Sequence, residues 1–360
     1  MADNTKIEWA DATVNAINGC SVTSPGCTNC YAMKLAGTRM KTHPTRAGLT
    51  IESKTGPVWN GEVRLHEPAL LQPLSWSKPR RIFWNAHGDT FHDAVPDEWI
   101  DRIFAVAALT PQHTHMILTK RSKRMREYMS ACEVRVAQLT LELACATGKS
   151  LDDPRRHPAF RMVGEWGASI MDAPTIGGFE QWPVPNVWLG VSVEDQTRAD
   201  ERIPDLLATP AAVRFLSCEP LLGPVDLMHV DIGAYMNGLT GRAAHEYDPV
   251  CRWPLIKPFY HMQSGLTSPG IDWVIAGGES GPGARPMHPD WARSLRDQCA
   301  AAGVPFHFKQ WGEWAPRDIF DDVAGLTTQI VRVGKKRAGR LLDGVEHNGF
   351  PGQVEGEGRK

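Results

Sequence analysis

Short continuous apolar runs, each closed by polar residues, alternate along the chain with stretches whose apolar residues fall at helical spacing. The run RIFWNAHGD (81–89) precedes PDEWIDRIFAVAAL, a helix pattern behind a proline at its first position. HTHMILTKR (113–121) leads into a basic helical stretch, and NVWLGVSVED (186–195) into QTRADERIPDLLA. AVRFLSCEPL (212–221), IDWVIAGGES (271–280) and VPFHFKQWG (304–312) complete the series. Between the last two, PDWARSLRDQCAAAG predicts a helix stopped by glycine. A weaker strand pattern lies near the start, in TKIEWADATVNAI. Continuous apolar strands separated by helices predict an α/β fold with a parallel sheet covered on both faces. A full or partial (β/α) barrel suits this count, and a doubly wound open sheet would also accommodate it. The barrel is favoured because polar side chains stand at the C-terminal end of every strand, where barrel active sites lie.

Two segments break the rhythm. Residues 133–185 hold a helical stretch, VRVAQLTLELACATG, and then a Pro/Gly-rich piece, which together predict an insertion. Residues 226–270 scatter aromatics, glycine and proline without periodicity and read as a long loop of the lid or binding type. The expected division is a barrel-like catalytic domain over 1–315 with these two insertions, then an extension over 316–360. In that extension TTQIVRVGKKRAGRLLDG predicts a short hairpin with a glycine-rich end. There is no internal repeat and no low-complexity tract.

A chain of 360 residues can bury a large core. Its formal net charge of −2 gives no global basic footprint. Basic clusters are local, KTHPTR (41–46), KPRR (78–81) and KRSKRMR (120–126), and read first as solvated faces and loop ends. No apolar run approaches the roughly 20 residues that span a bilayer, so no membrane partner is expected. The polar, acidic start carries no basic-then-apolar signal pattern, which places the chain in a cytoplasm. Disulfides are rare there, and clustered cysteines point to metal or redox chemistry. Cys132, Cys145, Cys218, Cys251 and Cys299 are dispersed, and most of them read as small buried hydrophobes.

The remaining three stand together in GCSVTSPGCTNCYAM (19–33), at Cys20, Cys27 and Cys30. Three is one too many for a disulfide and one too few for a closed zinc site, which would need a distant fourth ligand such as Cys218 or a histidine. The intervening SPG and TN are turn chemistry and make the segment a loop rather than core. An iron–sulfur cluster suits the set better, since three thiolates on a four-iron cluster leave one iron open for a small molecule. Cys30 also opens the helical stretch CYAMKLAGTRMK, where the helix dipole favours its thiolate.

C-x-x-C-Y closing a three-cysteine loop before a helix, at the start of a barrel-like chain, resembles the radical S-adenosylmethionine superfamily. Six residues, SVTSPG, separate the first two cysteines, more than is usual in that superfamily. The wider spacing is similar to that of a phage-associated family of radical-SAM-like proteins. That family also has segments like IEWADATVNAINGC, FHDAVPDEW, LTKR, GVSVEDQTRADERI, CEPLLGP, GGESGPGARPM, FKQWGEW and GRLLDG. The resemblance implies that Cys20, Cys27 and Cys30 ligate a [4Fe-4S] cluster. S-adenosylmethionine would chelate the open iron through its amino and carboxylate groups. An electron from a flavodoxin- or ferredoxin-type donor would then cleave it to methionine and a 5′-deoxyadenosyl radical, which takes hydrogen from the substrate. Tyr31 would pack near the adenine, or simply pack its helix. The phage association implies a nucleic-acid base or nucleotide substrate, as in DNA modification, rearrangement or repair, and the host cytoplasm as the setting.

Each strand end offers polar groups for such a ligand. Asn85, His87 and Asp89 follow the first strong strand, and Thr119, Lys120 and Arg121 the next, where a cation would pair with a carboxylate or phosphate. Ser192, Glu194 and Asp195 follow the third. Ser217 and Glu219 follow the fourth and point to one face, with Cys218 between them on the other. Gly277 and Gly278 would let a ligand approach the backbone, and Glu279 would accept from an ammonium. Lys309, Gln310, Trp311 and Trp314 close the set. Asn85, Asp89, Lys120, Arg121, Ser192, Glu194, Ser217, Gly277, Gly278, Glu279 and Lys309 are thus expected to bind cofactor. Cys218, His87 and Glu219 are the expected catalytic groups, with His92 beside His87 in a proton relay. For each, a structural role is the plainer alternative. Two other function classes stay open: a zinc-dependent barrel acting on RNA bases, and a non-catalytic phage interaction protein whose cysteines staple a loop.

Overall fold

Every apolar run with a strand pattern forms a strand in the computed structural model, which describes residues 2–3, 5, 7–148, 182–231, 235–236, 270–317 and 329–352. Seven strands run parallel: β1 (Ala12–Val14), β2 (Arg81–Trp84), β3 (Thr114–Thr119), β4 (Val187–Ser192), β5 (Val213–Cys218), β6 (Trp273–Gly277) and β7 (Phe306–Gln310). With their intervening helices they make a mixed α/β protein of the partial (β/α)-barrel kind, and the weak N-terminal pattern is indeed a strand. The chain divides into two compact units, Met1–Gly190 with Ala208–Val213, and Val191–Leu207 with Arg214–Lys360.

In the first unit a short antiparallel strand, Ala2–Asp3, precedes β1, β2, β3 and β4 in sheet order. The register sets Ala12 beside Ile82 and Ile82 beside His115. Helix α1 (Tyr31–Gly37) follows the cysteine loop, and α2 (Asp97–Ala108) follows β2. The proline expected inside α2 caps it instead: Pro96 is extended, and Asp97 and Glu98 occupy the first turn, where the helix dipole favours acids. Ile100, Ile103, Phe104 and Ala107 make the buried stripe of α2. Helix α3 (Ser122–Met129) follows β3. Helix α4 (Glu133–Thr147), the start of the expected insertion, packs on α2 with Val136, Ala137, Thr140 and Ala144 buried. Arg135 ties the two helices together through Asp97 and Asp101, and left-handed Gly148 ends α4. The rest of that insertion, 149–181, lies outside the described residues.

In the second unit β5 sets Phe215 beside Trp273, and β6 sets Val274 beside Phe306, with a register shift at Ala276 and Gly277. Helices α5 (Gln196–Leu207) and α6 (Pro289–Ala302) follow β4 and β6. Of the expected loop 226–270, Val230–Asp231 pairs with Tyr235–Met236, and 232–234 and 237–269 lie outside the described residues. The tail closes a tight glycine-bearing turn where Leu342 bridges Val345, but its strand pairs further away. Ile330–Arg332 pairs with Trp314–Pro316, and the chain then returns along β7. There the Phe308 N–H donates to His347 O at 2.9 Å and the Gly349 N–H to Phe306 O at 2.9 Å. No helix among the described residues is long and apolar enough to cross a membrane.

Candidate metal centre and strand-end groups

Two glycines bring the cysteine loop against the end of β2. Gly19 has a φ of 95°, and a Cβ there would stand 2.1 Å from Glu62 O; one on Gly88 would stand 2.7 Å from Ile17 O. Only bare backbone lets the two segments pair, as Gly19 and Gly88 do. Cys20 therefore emerges beside His87–Asp89. Cys27 lies in a short 3₁₀ turn, and Cys30 is the N-cap of α1. All three thiols are free and half-buried. Cys20 and Cys30 pack against Ala32, Met33, Ala36, Leu49 and Trp59, while Cys27 Sγ stands 3.8 Å from Ser24 Oγ. Burial, more than the nearby Asp89, pushes the Cys20 thiol up to about 12. Burial also raises Cys30, outweighing the amides of Met33 and Ala32 that favour its thiolate. The dipole effect expected at the start of α1 is present and loses.

A buried ionic staple fixes the loop. Arg121 Nη1 donates to Asp89 Oδ2 at 2.9 Å, and Nη2 to Ser21 Oγ at 2.7 Å and Ser21 O at 3.2 Å. Both charged side chains are only 8% exposed. His92 Nδ1 accepts from the Ala94 N–H, so its Nε2–H faces Ser21 Oγ at 2.9 Å. Asp89 also accepts from Thr119 Oγ1 and from the amides of Phe91 and Lys120. Asn85, at φ 58°, accepts from the Ile17 N–H and donates to Thr90 Oγ1. The carboxylate and the amide expected to face a ligand are thus both engaged in joining strand ends. Tyr31 is 58% exposed, donates to Ala86 O at 3.0 Å, and sets its ring edge-on to His87 at 5.8 Å.

His87 is held by Arg46. Its Nδ1 accepts from Arg46 Nε at 3.1 Å and Nη2 at 2.6 Å, while Arg46 Nη1 donates to Thr45 Oγ1 at 2.5 Å. Burial first, and the guanidinium second, push the imidazole down to about 4. It is neutral at physiological pH, with its proton on Nε2.

The strand-end groups of the second unit are mostly paired with one another. Glu194 and Ser192 O both receive Arg202 Nη1 at 2.8 Å, in an ion pair 0% and 4% exposed. Ser217 Oγ donates to Glu219 Oε2 at 3.3 Å, and Lys309 Nζ stands 3.1 Å from Glu219 Oε1, so these two do share a face. Cys218 is fully buried, and burial raises its thiol well above the usual range. Glu279 gives its carboxylate to Arg285, through Nε at 2.9 Å and Nη2 at 2.7 Å. Gly277 makes room for Glu219, and a Cβ on Gly278 would stand 1.9 Å from Trp311 O. Here the glycines admit the chain's own atoms. Trp311 and Trp314 cap the carbonyls of Leu341 and Ala284.

Among the described residues, no three His, Cys, Asp or Glu side chains close around a single point as the ligands of one metal ion would. The donor set that the loop does offer is three unpaired thiols on one half-buried segment, and soft thiolates suit iron–sulfur clusters as they suit zinc. Each cysteine of a cubane cluster binds a separate iron, so such a cluster does not require the three sulfurs to meet at one point.

A family model described as Protein of unknown function (DUF5131) matches residues 4–351. The chain belongs to the DUF5131 family. Comparisons with curated proteins and with solved structures found no match. In this DUF5131 chain the site residue that sequence reasoning missed is Arg46. It lies in KTHPTR, read above as a surface cluster, yet it is 6% exposed. Ser21 was missed too, because nothing local to SVTSPG shows that an arginine 100 positions away will meet its hydroxyl.

Proposed function

We propose that this DUF5131 protein is a radical S-adenosylmethionine enzyme acting on a nucleic-acid base or nucleotide, with a [4Fe-4S] cluster on Cys20, Cys27 and Cys30. The observation that carries this reading is three free, half-buried thiols on one loop. Arg121 and Asp89 staple that loop to the C-terminal ends of β2 and β3, where barrel enzymes keep their chemistry. Cys20, Cys27 and Cys30 would hold the cluster, which would supply the one-electron reduction of the sulfonium. The chain's own part is to hold and shield. The three thiols give up their protons on loading. Arg121 and His92 fix Ser21, and with it the backbone beside Cys20. Tyr31 and neutral His87 offer an exposed ring and a hydrogen-bond donor next to Cys30. The reading takes a flavodoxin- or ferredoxin-type protein as reductant and a cytoplasmic setting, that of a host cell for a phage-encoded chain.

Anaerobic reconstitution with iron and sulfide tests the proposal. A brown protein is expected, whose reduced electron paramagnetic resonance signal shifts with S-adenosylmethionine and which releases 5′-deoxyadenosine. Cys27→Ser should lose most of its iron while the metal-free protein keeps its melting temperature, because Cys27 lies outside the apolar cluster that holds Cys20 and Cys30. A colourless protein that retains zinc and ignores S-adenosylmethionine would assign the loop to another chemistry.

A further inference from the structure

Arg46 is the anomaly of the first unit. It is 6% exposed, yet it has no carboxylate within ion-pair distance among the described residues. Its three hydrogen bonds go to neutral acceptors, two to His87 Nδ1 and one to Thr45 Oγ1. A guanidinium carries five N–H groups, so two are left over. Burial lowers its affinity for the proton to a pKa of about 10, the mark of an uncompensated cation. A buried charge without a counter-ion is costly, and such groups are retained where a ligand supplies the opposite charge. One further cation stands against the same segment: Arg64 Nη1 donates to Pro44 O at 2.7 Å, while His43 Nδ1 shares the Thr45 hydroxyl with Arg46. Because Arg46 occupies His87 Nδ1, the half-buried ring presents its Nε2–H with no protein partner. Tyr31, directly after Cys30, lies edge-on to that ring.

We propose that Arg46 and His87 form an oxyanion subsite that takes the phosphate group of a nucleotide ligand beside the cysteine loop. Two spare guanidinium N–H groups and an imidazole N–H suit a group with several acceptor oxygens, and the guanidinium charges of Arg46 and Arg64 favour the higher charge of phosphate over a carboxylate. The choice of a nucleotide rests on the function proposed above. The subsite itself needs no cluster.

Calorimetric titration of the full chain, both metal-free and reconstituted, tests it with thymidine 5′-monophosphate, thymidine, inorganic phosphate and acetate. Thymidine 5′-monophosphate should bind both forms and raise the melting temperature, and thymidine should not. Arg46→Gln should weaken binding by about tenfold or more, with Arg46→Lys in between. Ligand-free Arg46→Gln should melt no lower than the native protein, since it removes an uncompensated buried charge. Inorganic phosphate binding as tightly as the nucleotide would support the subsite and make free phosphate its source. Equal binding of thymidine, preference for acetate, or nucleotide binding untouched by Arg46→Gln would each overturn it. A large drop in the melting temperature of ligand-free Arg46→Gln would make Arg46 structural and also overturn it. Phosphate binding in a chain that never responds to S-adenosylmethionine would keep this subsite and sink only the radical reading.

Discussion

His115 has no solvent-exposed surface, and both its ring nitrogens are committed. Nδ1 accepts from Trp84 Nε1 at 3.0 Å, and Nε2 faces Thr110 Oγ1 at 3.0 Å, whose own hydrogen goes to Val106 O. Burial pushes this imidazole down to about 3. Since the unfolded chain binds the proton near the usual histidine value of about 6.5, it takes up more protons than the fold between those two values. Stability is therefore full above about pH 6.5 and declines as pH falls toward 3, with His87 contributing in the same direction. Denaturant titrations should give an unfolding free energy clearly lower at pH 5 than at pH 7, by about a few kcal/mol at most, and a correspondingly lower midpoint. An unchanged midpoint would show that His115 is protonated inside the fold. At this scale the sequence reveals residue types but not their partners. The three cysteines were legible because their spacing is local. Asp89, Asn85 and Glu279 were legible as polar strand-end residues, while their consumption by Arg121, Thr90 and Arg285 is decided by tertiary contacts. Arg46 was illegible for the same reason, since nothing in KTHPTR distinguishes the buried arginine from the exposed Lys41.

The next scale is the loop and the strand ends that carry it. Residues 20–30 lie in no strand, so beyond the packing of Cys20 and Cys30 and the Gly61 N–H bond to Cys20 O their position depends on Arg121, Asp89 and Ser21. Breaking a buried ion pair by removing one partner leaves the other charge uncompensated, at a typical cost of about 3–5 kcal/mol. Arg121→Gln should therefore lower global stability by about that amount. It should also raise amide exchange selectively over residues 20–30. Asp89→Asn should do the same, and the double variant should cost less than the sum of the two, as expected for groups in contact. Additive losses would separate the pair and remove the staple. The elements themselves followed from the pattern: β2 to β7 are continuous apolar runs, and α2 and α6 show helical spacing. Their contacts did not follow. Helix α4 was legible as a helix, but its seat on α2 comes from Arg135 meeting Asp97 and Asp101, residues more than 30 positions apart in the chain.

At the scale of the molecule, a strand that ends a sheet order is exposed to unwanted pairing unless something covers it. β7 holds that place in the second unit, and the tail covers it. The cover is specific: His307 bridges to Asn348, Trp273 Nε1 donates to Gly349 O at 2.7 Å, and Phe350 packs edge-on against Trp273 at 4.8 Å. Leu342 in the same segment is fully buried. Reading the tail as a hairpin caught the turn at Leu342–Val345 but not its strand partners, since Ile330–Arg332 pairs with Trp314–Pro316 and 347–349 with β7. Sequence periodicity identifies a strand without naming its neighbour. If the tail is an edge cover, a chain ending at Gly339 should associate through the bared β7, giving concentration-dependent aggregates by light scattering. Phe350→Ala, which keeps the backbone bonds, should not aggregate and should lose about 1–2 kcal/mol, less than a full core phenylalanine because Phe350 is only half-buried. A truncated chain that remains soluble and melts like the native protein would show that β7 needs no cover, and that the tail serves something other than the integrity of this sheet.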